Sequence, residues 1–332
     1  MTVYLVTGGA GFIGSNFIQY LFHHKKNSKV INVDKLTYAG NLANLKTVEG
    51  NEGYTFIQED ICNGKLMMEI FKTYRPDIVI NFAAESHVDR SIDDSHLFVE
   101  TNVLGTHNLL QAALRYPVKK YIQISTDEVY GSLEDDGYFS EQSNLSPNNP
   151  YAASKAAGDM LVYSFYKTYG LPVNITRSTN NYGSNQHGEK LIPLIISRCL
   201  KGQRFPLYGD GRNVRDWIHV KDHCRAIDLV ANRGVDGEIY NIGANQERDN
   251  IQVAKQIIDF LKELIEDESK KIKITEELIQ FVEDRKGHDR RYAVDARKLK
   301  SRLGWSPTYT FEEGLKETIR WYLDHGNHVI EK

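Results

Sequence analysis

Cysteine is scarce in this chain and poorly placed for either of its structural uses. Cys62, Cys199 and Cys224 are far apart and odd in number, which argues against a disulfide framework and against any zinc-type spacing. Reduced thiols and no bound metal are therefore expected. No apolar run approaches the roughly 20 residues of a membrane span, so no membrane partner is expected. Charge of one sign is not in excess: 41 Lys and Arg face 44 Asp and Glu, for a net −3. With no basic run, nucleic acid is not an expected partner either. Internal repeats, low-complexity tracts and long flexible linkers are also missing. The densest charge run, residues 263–273, reads as a solvated helix end or loop. The start MTVYLVTGG enters a strand at once, leaving no room for a secretory leader, and a cytoplasmic location is expected. At 332 residues the chain can bury one large core or two smaller ones.

What the chain does have is a glycine turn in the right setting. Val3-Tyr4-Leu5-Val6 reads as a buried parallel strand, and Thr7-Gly8-Gly9-Ala10-Gly11-Phe12-Ile13-Gly14 leads from it into a helix over residues 15–22. Glycines at this spacing permit a tight turn and let backbone N–H groups approach a pyrophosphate at the helix start. A second apolar strand, Val30-Ile31-Asn32-Val33, ends in Asp34. An acid about twenty residues past the last glycine suits the adenine ribose hydroxyls and repels a 2′-phosphate, which favours NAD over NADP. Lys35 follows at once and softens that charge argument. A structural turn with a helix-capping acid is the plain alternative.

The second informative stretch is Ser125-Thr126-Asp127-Glu128-Val129-Tyr130-Gly131, followed by Tyr151-Ala152-Ala153-Ser154-Lys155. Tyr151 and Lys155 are one helical turn apart on one face. A neighbouring cation favours the phenolate, so the tyrosine can serve as a base. Asp127 and Glu128 come directly after an apolar strand, where α/β folds place catalytic groups. A tyrosine base suffices for alcohol oxidation; two further carboxylates suggest protons moved elsewhere on the substrate, that is, an elimination joined to a redox step. Taken singly, an Asp-Glu dipeptide is most often a polar loop, and Tyr-x-x-x-Lys is common on helix surfaces.

Strands and helices alternate through the first half. Further strands are expected at 54–58, 78–82, 120–124 and 173–177, with helices at 65–74, from near Ser95 through 102–116, and at 148–169. This implies an α/β fold, a Rossmann-type doubly wound parallel sheet with helices on both faces. Residues 1–180 are expected to form the NAD-binding domain. Residues 181–332 are expected to form mainly a smaller C-terminal α/β substrate lobe, with some later strands returning to the main sheet. There 180–183 reads as a loop, 190–200 as a helix, 205–211 as turn-rich, 217–220 and 238–242 as strands, and 252–266 and 311–325 as helices. Tyr163, Phe165, Tyr166 and Tyr169 are expected in the core or at a subunit interface.

In order along the chain stand Asp34-Lys35-Leu36-Thr37-Tyr38-Ala39-Gly40-Asn41, Ala83-Ala84-Glu85-Ser86-His87-Val88-Asp89-Arg90-Ser91 and the acid-pair motif. They are followed by Glu189-Lys190-Leu191-Ile192-Pro193-Leu194, Leu207-Tyr208-Gly209-Asp210-Gly211, Asn213-Val214-Arg215-Asp216-Trp217-Ile218-His219-Val220 and Asp284-Arg285-Lys286-Gly287-His288-Asp289-Arg290-Arg291-Tyr292. With these motifs the chain resembles the extended short-chain dehydrogenase/reductases, and within them the NAD-dependent dTDP-glucose 4,6-dehydratases, from the first strand to near residue 310. The resemblance implies that Tyr151 takes the C4 hydroxyl proton, Lys155 assists it and binds the nicotinamide ribose, and Thr126 bonds the reacting hydroxyl. Glu128 would remove the C5 proton and Asp127 protonate the leaving C6 hydroxyl. It further implies cofactor contacts from Gly8, Gly11, Phe12, Ile13, Gly14, Asp34, Lys35, Leu36, Thr37, Asp60, Ile61, Ala83, Ala84, Glu85, Ser86, Thr101, Tyr151, Lys155 and Asn181. Sugar-nucleotide contacts would come from Ser86, His87, Thr126, Asn180, Lys190, Leu191, Pro206, Leu207, Tyr208, Arg215, Asn250, Arg285, His288 and Tyr292. Guanidinium groups at Arg215 and Arg285 suit a diphosphate, and Tyr208 suits a nucleobase face. His87 reads equally as a structural histidine, and Arg285 or His288 as braces of the small lobe. A homodimer through a four-helix bundle, made by the helices near 100–116 and 151–169, is implied by the resemblance only.

Two places depart from the family pattern. His187-Gly188 stands where an aromatic residue and proline are usual, and Lys286 replaces a proline before Gly287. Proline restricts φ and glycine frees it, so looser loops near the nucleotide pocket are expected. Rival readings are a nucleotide-sugar 4-epimerase, which has no need of Asp127 and Glu128, and a GDP-mannose 4,6-dehydratase, which favours the NADP that Asp34 disfavours. A catalytically silent NAD-binding sensor is the reading from another class.

Overall fold

The computed structural model describes residues 1–134 and 136–329. The first half runs β1 (Thr2–Thr7), α1 (Phe12–His24), β2 (Ser28–Asp34), β3 (Tyr54–Gln58), α2 (Gly64–Tyr74) and β4 (Ile78–Asn81). It continues through α3 (Val88–Asp93), α4 (His96–Val99), α5 (Thr106–Arg115), β5 (Lys120–Thr126), α6 (Pro150–Tyr169) and β6 (Val173–Ser178). Then come β7 (Asn180–Tyr182), α7 (Leu191–Leu200), β8 (Phe205–Tyr208), β9 (Val214–His219), α8 (Val220–Arg233) and β10 (Ile239–Ile242). The chain closes with β11 (Glu247–Asp249), α9 (Asn250–Leu264), α10 (Glu268–Lys271), β12 (Ile279–Val282), α11 (Arg297–Leu303) and α12 (Phe311–Val329).

Seven strands form one parallel sheet in the order β10-β6-β5-β4-β1-β2-β3. Alternate residues of β1 feed two separate cores: Tyr4 and Val6 pack with α1 and α8 on one face, Leu5 with α2, α5 and α6 on the other. Burial on both faces is why the strands read as unbroken apolar runs. Strand order reverses between β1 and β4, so a crevice opens beyond their carboxyl ends. A third core, built around Ile195, Phe205, Trp217, Ile257 and Phe311, belongs to the smaller lobe. Among the described residues no helix is long and apolar enough to cross a membrane.

Local sequence sets the helix that matters most. Asn149 caps α6 by accepting from the Ala152 N–H, Pro150 occupies the first turn, and Gly170 ends the helix at φ +68. This is the expected use of each residue type.

Four elements differ from the sequence expectation. Residues 180–182 are the strand β7, held between the two lobes by parallel pairing with β9. The segment from Phe205 is the strand β8, paired with β12 before its turn. Both are too short for a period to show. The expected continuous helix through 102–116 contains a π-helical stretch, Glu100–Gly105; there Asn102 turns inward to donate to the Glu85 carbonyl at 3.0 Å and to Ser154 Oγ at 2.8 Å. The expected strand at 217–220 begins earlier and gives way to α8 at Val220.

The glycine turn is a packing device as well as a site. A Cβ on Gly14 would lie 2.4 Å from the Gly8 carbonyl oxygen and 2.8 Å from the Gly9 Cα, both backbone atoms that cannot swing away. Gly14→Ala is therefore expected to destabilise the fold by about 1–3 kcal/mol, the usual range for overpacking, read as a lower urea midpoint at unchanged m.

Candidate active site

β1 hands over to Gly8 at φ +68, where a Cβ would lie 2.6 Å from the Ala83 nitrogen. Glycine is needed because the exit of β4 passes that close. Gly11 is different: its Cβ would meet only the Gly8 carbonyl oxygen, at 3.3 Å. Nothing inside the protein crowds it, and no side chain caps the helix it precedes. Its bare backbone leaves the first N–H groups of α1 open to the crevice, which is the condition for a diphosphate to bind there.

Asp34, at the end of β2, accepts from the Ala10 and Leu36 N–H groups at 2.8 Å each. Burial pushes its carboxyl up, against the pull of those two bonds. Its remaining lone pairs suit ribose hydroxyls, and the Lys35 ammonium is committed to Asp60 at 2.7 Å. The donor set therefore fits NAD and would oppose an added phosphate. Leu36, at φ +58, packs on the core beside α1; its contribution is the N–H that fixes Asp34.

One cleft takes in Gly8, Gly11, Phe12, Ile13, Gly14, Asp34, Lys35, Thr37, Asp60, Ile61, Ala83, Ala84, Glu85, Ser86, Thr101 and Asn181. It continues to Thr126, Asp127, Glu128, Tyr151, Lys155, Asn180 and Lys190. β5 delivers the acid pair. Thr126 Oγ1 donates to Asp127 Oδ1 at 3.2 Å and accepts from the Glu128 N–H at 3.2 Å. Asp127 is 2 % exposed, and its Oδ2 has no partner among the described residues. Burial, and then the charge of Glu128, hold its carboxyl well above the ordinary range. Glu128 is half-buried and is held by Asn149 Nδ2 at 3.3 Å and the Tyr292 hydroxyl at 3.4 Å.

Tyr151 and Lys155 descend from the start of α6, both buried. Here the electrostatic expectation needs correction. Burial, then the charge of Glu128, push the Tyr151 phenol up, with a hydrogen bond from Thr126 as the opposing influence. Lys155 Nζ donates to the Ile124 carbonyl at 2.6 Å, and burial lowers its pKa to about 8. The lysine is tied to the end of β5, and burial of Tyr151 works against the ionisation that a nearby cation favours.

Of the residues matched to a sugar nucleotide, several gather outside that cleft. The Tyr208 hydroxyl donates to Asp89 at 3.3 Å, and Arg285 stands 3.7 Å from the same carboxylate. His288 bonds Asp284 at 2.6 Å and lies edge-on to Tyr208 with centroids 6.0 Å apart; burial lowers its pKa to about 4. Arg215 stacks 4.4 Å from the Tyr292 ring centroid and donates to the Val214 and Asp289 carbonyls. Tyr292 bonds both Asp289 and Glu128, so this cluster reaches the acid pair. Arg285 Nε is buried without a partner among the described residues. Lys190 donates to the Ser86 carbonyl at 3.0 Å.

Others are placed differently. Leu207 is 1 % exposed and packed in the small-lobe core, so its side chain is not open to a ligand; the alternation of β8 turns it inward and leaves Pro206 exposed. Leu191 packs against the same core. Asn250 begins α9 and donates its N–H to the Asn213 carbonyl at 3.2 Å. His87 caps α3, accepting from the Arg90 N–H at 3.4 Å, with Glu189 at 3.6 Å. That is the structural reading of this histidine.

The cleft also includes Ser178, Thr179 and Gln186, which the sequence does not single out, and Tyr38, His187 and Glu189, which stand in or beside the motifs but carry no assigned contact there. Arg90 lies 3.8 Å from the Tyr38 ring centroid and donates to Glu189 at 3.0 Å. No local motif announces these contacts, since the partners are far apart in sequence. Asn149 was readable as a helix cap from Asn before Pro, though its second bond, to Glu128, was not.

Comparison with known proteins agrees with this geometry. Residues 5–318 match a protein family described as GDP-mannose 4,6 dehydratase. The chain is 50 % identical to a dTDP-glucose 4,6-dehydratase of Haemophilus influenzae, over 96 % of this chain and 97 % of that one. Among solved structures, dTDP-glucose 4,6-dehydratase from Bacillus anthracis in complex with NAD superposes with a TM-score of 0.90 at 48 % identity, covering 99 % and 98 % of the two chains. The dTDP-glucose 4,6-dehydratase of Streptomyces venezuelae, also solved with NAD bound, gives 0.92 at 45 % identity and 98 % of each. With near-complete coverage on both sides, and with a glycine turn, an acid pair and a Tyr–Lys helix converging on one cleft, the chain belongs to the dTDP-glucose 4,6-dehydratase family of the extended short-chain dehydrogenase/reductases.

Proposed function

We infer that this protein converts dTDP-glucose to dTDP-4-keto-6-deoxyglucose and water, an NAD-dependent hydro-lyase reaction that feeds deoxysugar synthesis. The observation that carries the reading is the acid pair: neighbouring carboxyls at one strand end, one of them buried and proton-holding. NAD, held by the glycine turn and Asp34, would supply reversible hydride acceptance, for oxidation at C4 and reduction at C6. Tyr151 acts as the phenolate, the form that a neighbouring ammonium such as Lys155 favours, and accepts the C4 hydroxyl proton as the C4 hydride leaves, while Thr126 steadies the same hydroxyl. The 4-ketone acidifies C5, and Glu128 removes that proton. Asp127 gives its proton to the departing C6 hydroxyl, which leaves as water. A proton then returns to C5. Burial and the neighbouring charge that raise Asp127 fit it for the acid role.

Residues 1–180 serve chiefly the cofactor and 181–332 the sugar nucleotide in this reading. The cluster of Tyr208, Arg215, Arg285 and Tyr292 would take the nucleotide, with the unpartnered Arg285 Nε offered to a diphosphate oxygen. A homodimer is also part of the reading: α5 packs on α6, and these helices with α4 and the π-helical stretch expose Leu97, Val99, Leu104, Met160 and Tyr163. Such an apolar surface on adjoining helices suits a second copy in a four-helix bundle. Three free thiols suit the cytoplasm.

Purified protein incubated with dTDP-glucose should develop the alkali-induced absorbance of a 4-keto-6-deoxy sugar, whereas UDP-glucose and GDP-mannose should not. Absence of signal from all three would overturn the dehydratase reading. Glu128→Gln should lower kcat by about 10²–10⁴-fold, the usual weight of a positioned acid or base, while a single turnover still reduces the bound nicotinamide. An epimerase would lose far less.

Asp127 makes a separate forecast. Its folded pKa is raised, so the unfolded chain binds fewer protons between the ordinary aspartate range and the raised value, and stability falls as pH rises through that window. Asp127→Asn removes this slope. Its Tm should exceed the parent's at the upper end of the window, as kcat falls by about 10²–10⁴-fold. Light scattering should give twice the chain mass for the parent and a single chain mass for Met160→Asp.

A further inference from the structure

Tyr151 and Lys155 are not alone on their face of α6. Asp159 lies one turn beyond Lys155, completing a stripe of phenol, ammonium and carboxyl spaced by four residues, the interval that aligns side chains on a helix. The three are 8 %, 5 % and 1 % exposed. A stripe this polar, facing a sheet, needs partners, and β5 and β6 supply them. Lys155 Nζ donates to the Ile124 carbonyl at 2.6 Å. The next residue, Ser125, donates its hydroxyl to Asp159 Oδ2 at 3.0 Å. Arg177 of β6 donates Nε to that same oxygen at 2.9 Å, and its guanidinium stacks 4.8 Å from the Tyr130 ring centroid. Lys155 and Asp159 thus grip consecutive residues of β5, immediately before Thr126, Asp127 and Glu128.

Building on the reaction given above, we propose that Asp159 is a positioning residue for it, one that acts through Lys155. Its carboxylate fixes the seat of α6 on the end of β5 and sets a buried negative charge beside the ammonium that attends the reacting hydroxyl. Asp159 touches neither the cofactor cleft nor the acid pair, so its effect is transmitted by Lys155 and Ser125.

The geometry has an asymmetry that supports this role. Both inward bonds fall on Oδ2, while Oδ1 is buried without a partner among the described residues. An ion pair meant only to brace two elements would use both oxygens in a fork with Arg177. One oxygen left uncommitted keeps charge available to Lys155. The charges point the same way: burial lowers Lys155, and Asp159 is the charged group that opposes it. Asp159 itself is raised by burial and held down by Arg177 and then Lys155. Other charged groups near the node are Glu141, Glu238 and Lys298, which line the cavity on its outer side. Tyr151, Asp127 and Glu128 share the inner side with Lys155. Glu141 is occupied with the Asn241 N–H and Glu238 with Lys298.

The test reads Lys155 directly. In protein carrying ¹³Cε-labelled lysine, with the resonance assigned by its loss in Lys155→Met, the Lys155 signal should titrate lower in Asp159→Asn than in the parent by about one pH unit, the scale of a lost buried neighbour charge. The alkaline limb of kcat against pH with dTDP-glucose should move by the same amount; Asp127 contributes to that limb in both proteins and cancels in the difference. Asp159→Asn/Arg177→Met, which removes both charges and spares the fold an unpaired ion, should shift in the same direction by a smaller amount, because Asp159 and not Arg177 is the charge that acts on Lys155, and carries the test if the single variant does not fold. Ser125→Ala should leave the Lys155 midpoint in place. Lys155 titrations that superpose in parent and double variant would overturn the proposal, even if Tm or kcat fell. The resonance is read without substrate, so failure of the parent to turn over dTDP-glucose would count against the reaction and not against Asp159.

Discussion

The chemistry of this protein depends on a polar helix face that is buried against the end of a parallel strand. α6 brings a phenol, an ammonium and a carboxyl into contact with a sheet, where each unmatched polar group costs free energy. The cost is offset by a continuous hydrogen-bonded layer. Thr7 Oγ1 donates to Asn81 Oδ1 at 2.7 Å, and Asn81 Nδ2 donates to Gln123 Oε1 at 3.0 Å. Tyr121 reaches the same oxygen from within β5, at 3.1 Å. Asn102, turned in by the π-helical stretch, ties Glu85 to Ser154 of α6. The layer joins β1, β4, β5 and α6 at the level of the crevice. A shift of α6 by one turn would break the Asn102–Ser154 bond and carry Lys155 and Asp159 away from Ile124 and Ser125, so helix register and active-site geometry are one constraint.

Within that frame, sequence adjacency is turned into chemical opposition. Asp127 and Glu128 are neighbours on the chain, yet the turn after β5 sends one side chain into the protein and the other toward the lobe. Asp127 meets buried surroundings and a like charge, both of which favour its proton. Glu128 meets two donors, Asn149 and Tyr292. An elimination needs a base and an acid close together and in opposite protonation states, and a buried-beside-solvated pair is a direct way of obtaining them. A fold of this kind without the pair retains redox chemistry at C4 and loses the means to expel a C6 hydroxyl.

Legibility in the sequence followed locality. The βα alternation, the glycine turn, the acid pair and the Tyr–Lys spacing each carry their geometry within a few residues, and each could be read before any coordinates. β7 and β8 could not, because strands of three or four residues are defined by their partners β9 and β12 and not by a period of their own. The π-helical stretch was equally invisible: its cause is Asn102 reaching Glu85 and Ser154, both distant in sequence. The burial and the Glu128 charge that oppose ionisation of Tyr151 are equally absent from the local spacing. Spacing places the two on one face, but the carbonyl that Lys155 prefers belongs to β5. Leu207 was assigned to a ligand by its motif, whereas strand alternation buried it.

The two departures from the family pattern show how tertiary contacts can replace local stiffness. Losing a proline at Gly188 frees backbone, but the segment around it is anchored from three sides. Gln186 donates to the Asn181 carbonyl at 2.9 Å, the Tyr322 hydroxyl of α12 bonds the Gln186 carbonyl, and Glu189 receives Arg90 at 3.0 Å. His187 lies edge-on to Tyr38 with centroids 5.5 Å apart, filling by an imidazole the place of the usual aromatic. At the other departure, Gly287 sits at φ +62, where a Cβ would approach the Asn148 carbonyl oxygen to 2.8 Å. What that turn requires is glycine, and the residue before it is free to vary. The segment at 186–189 is therefore anchored by contacts distant in sequence, which its composition does not reveal.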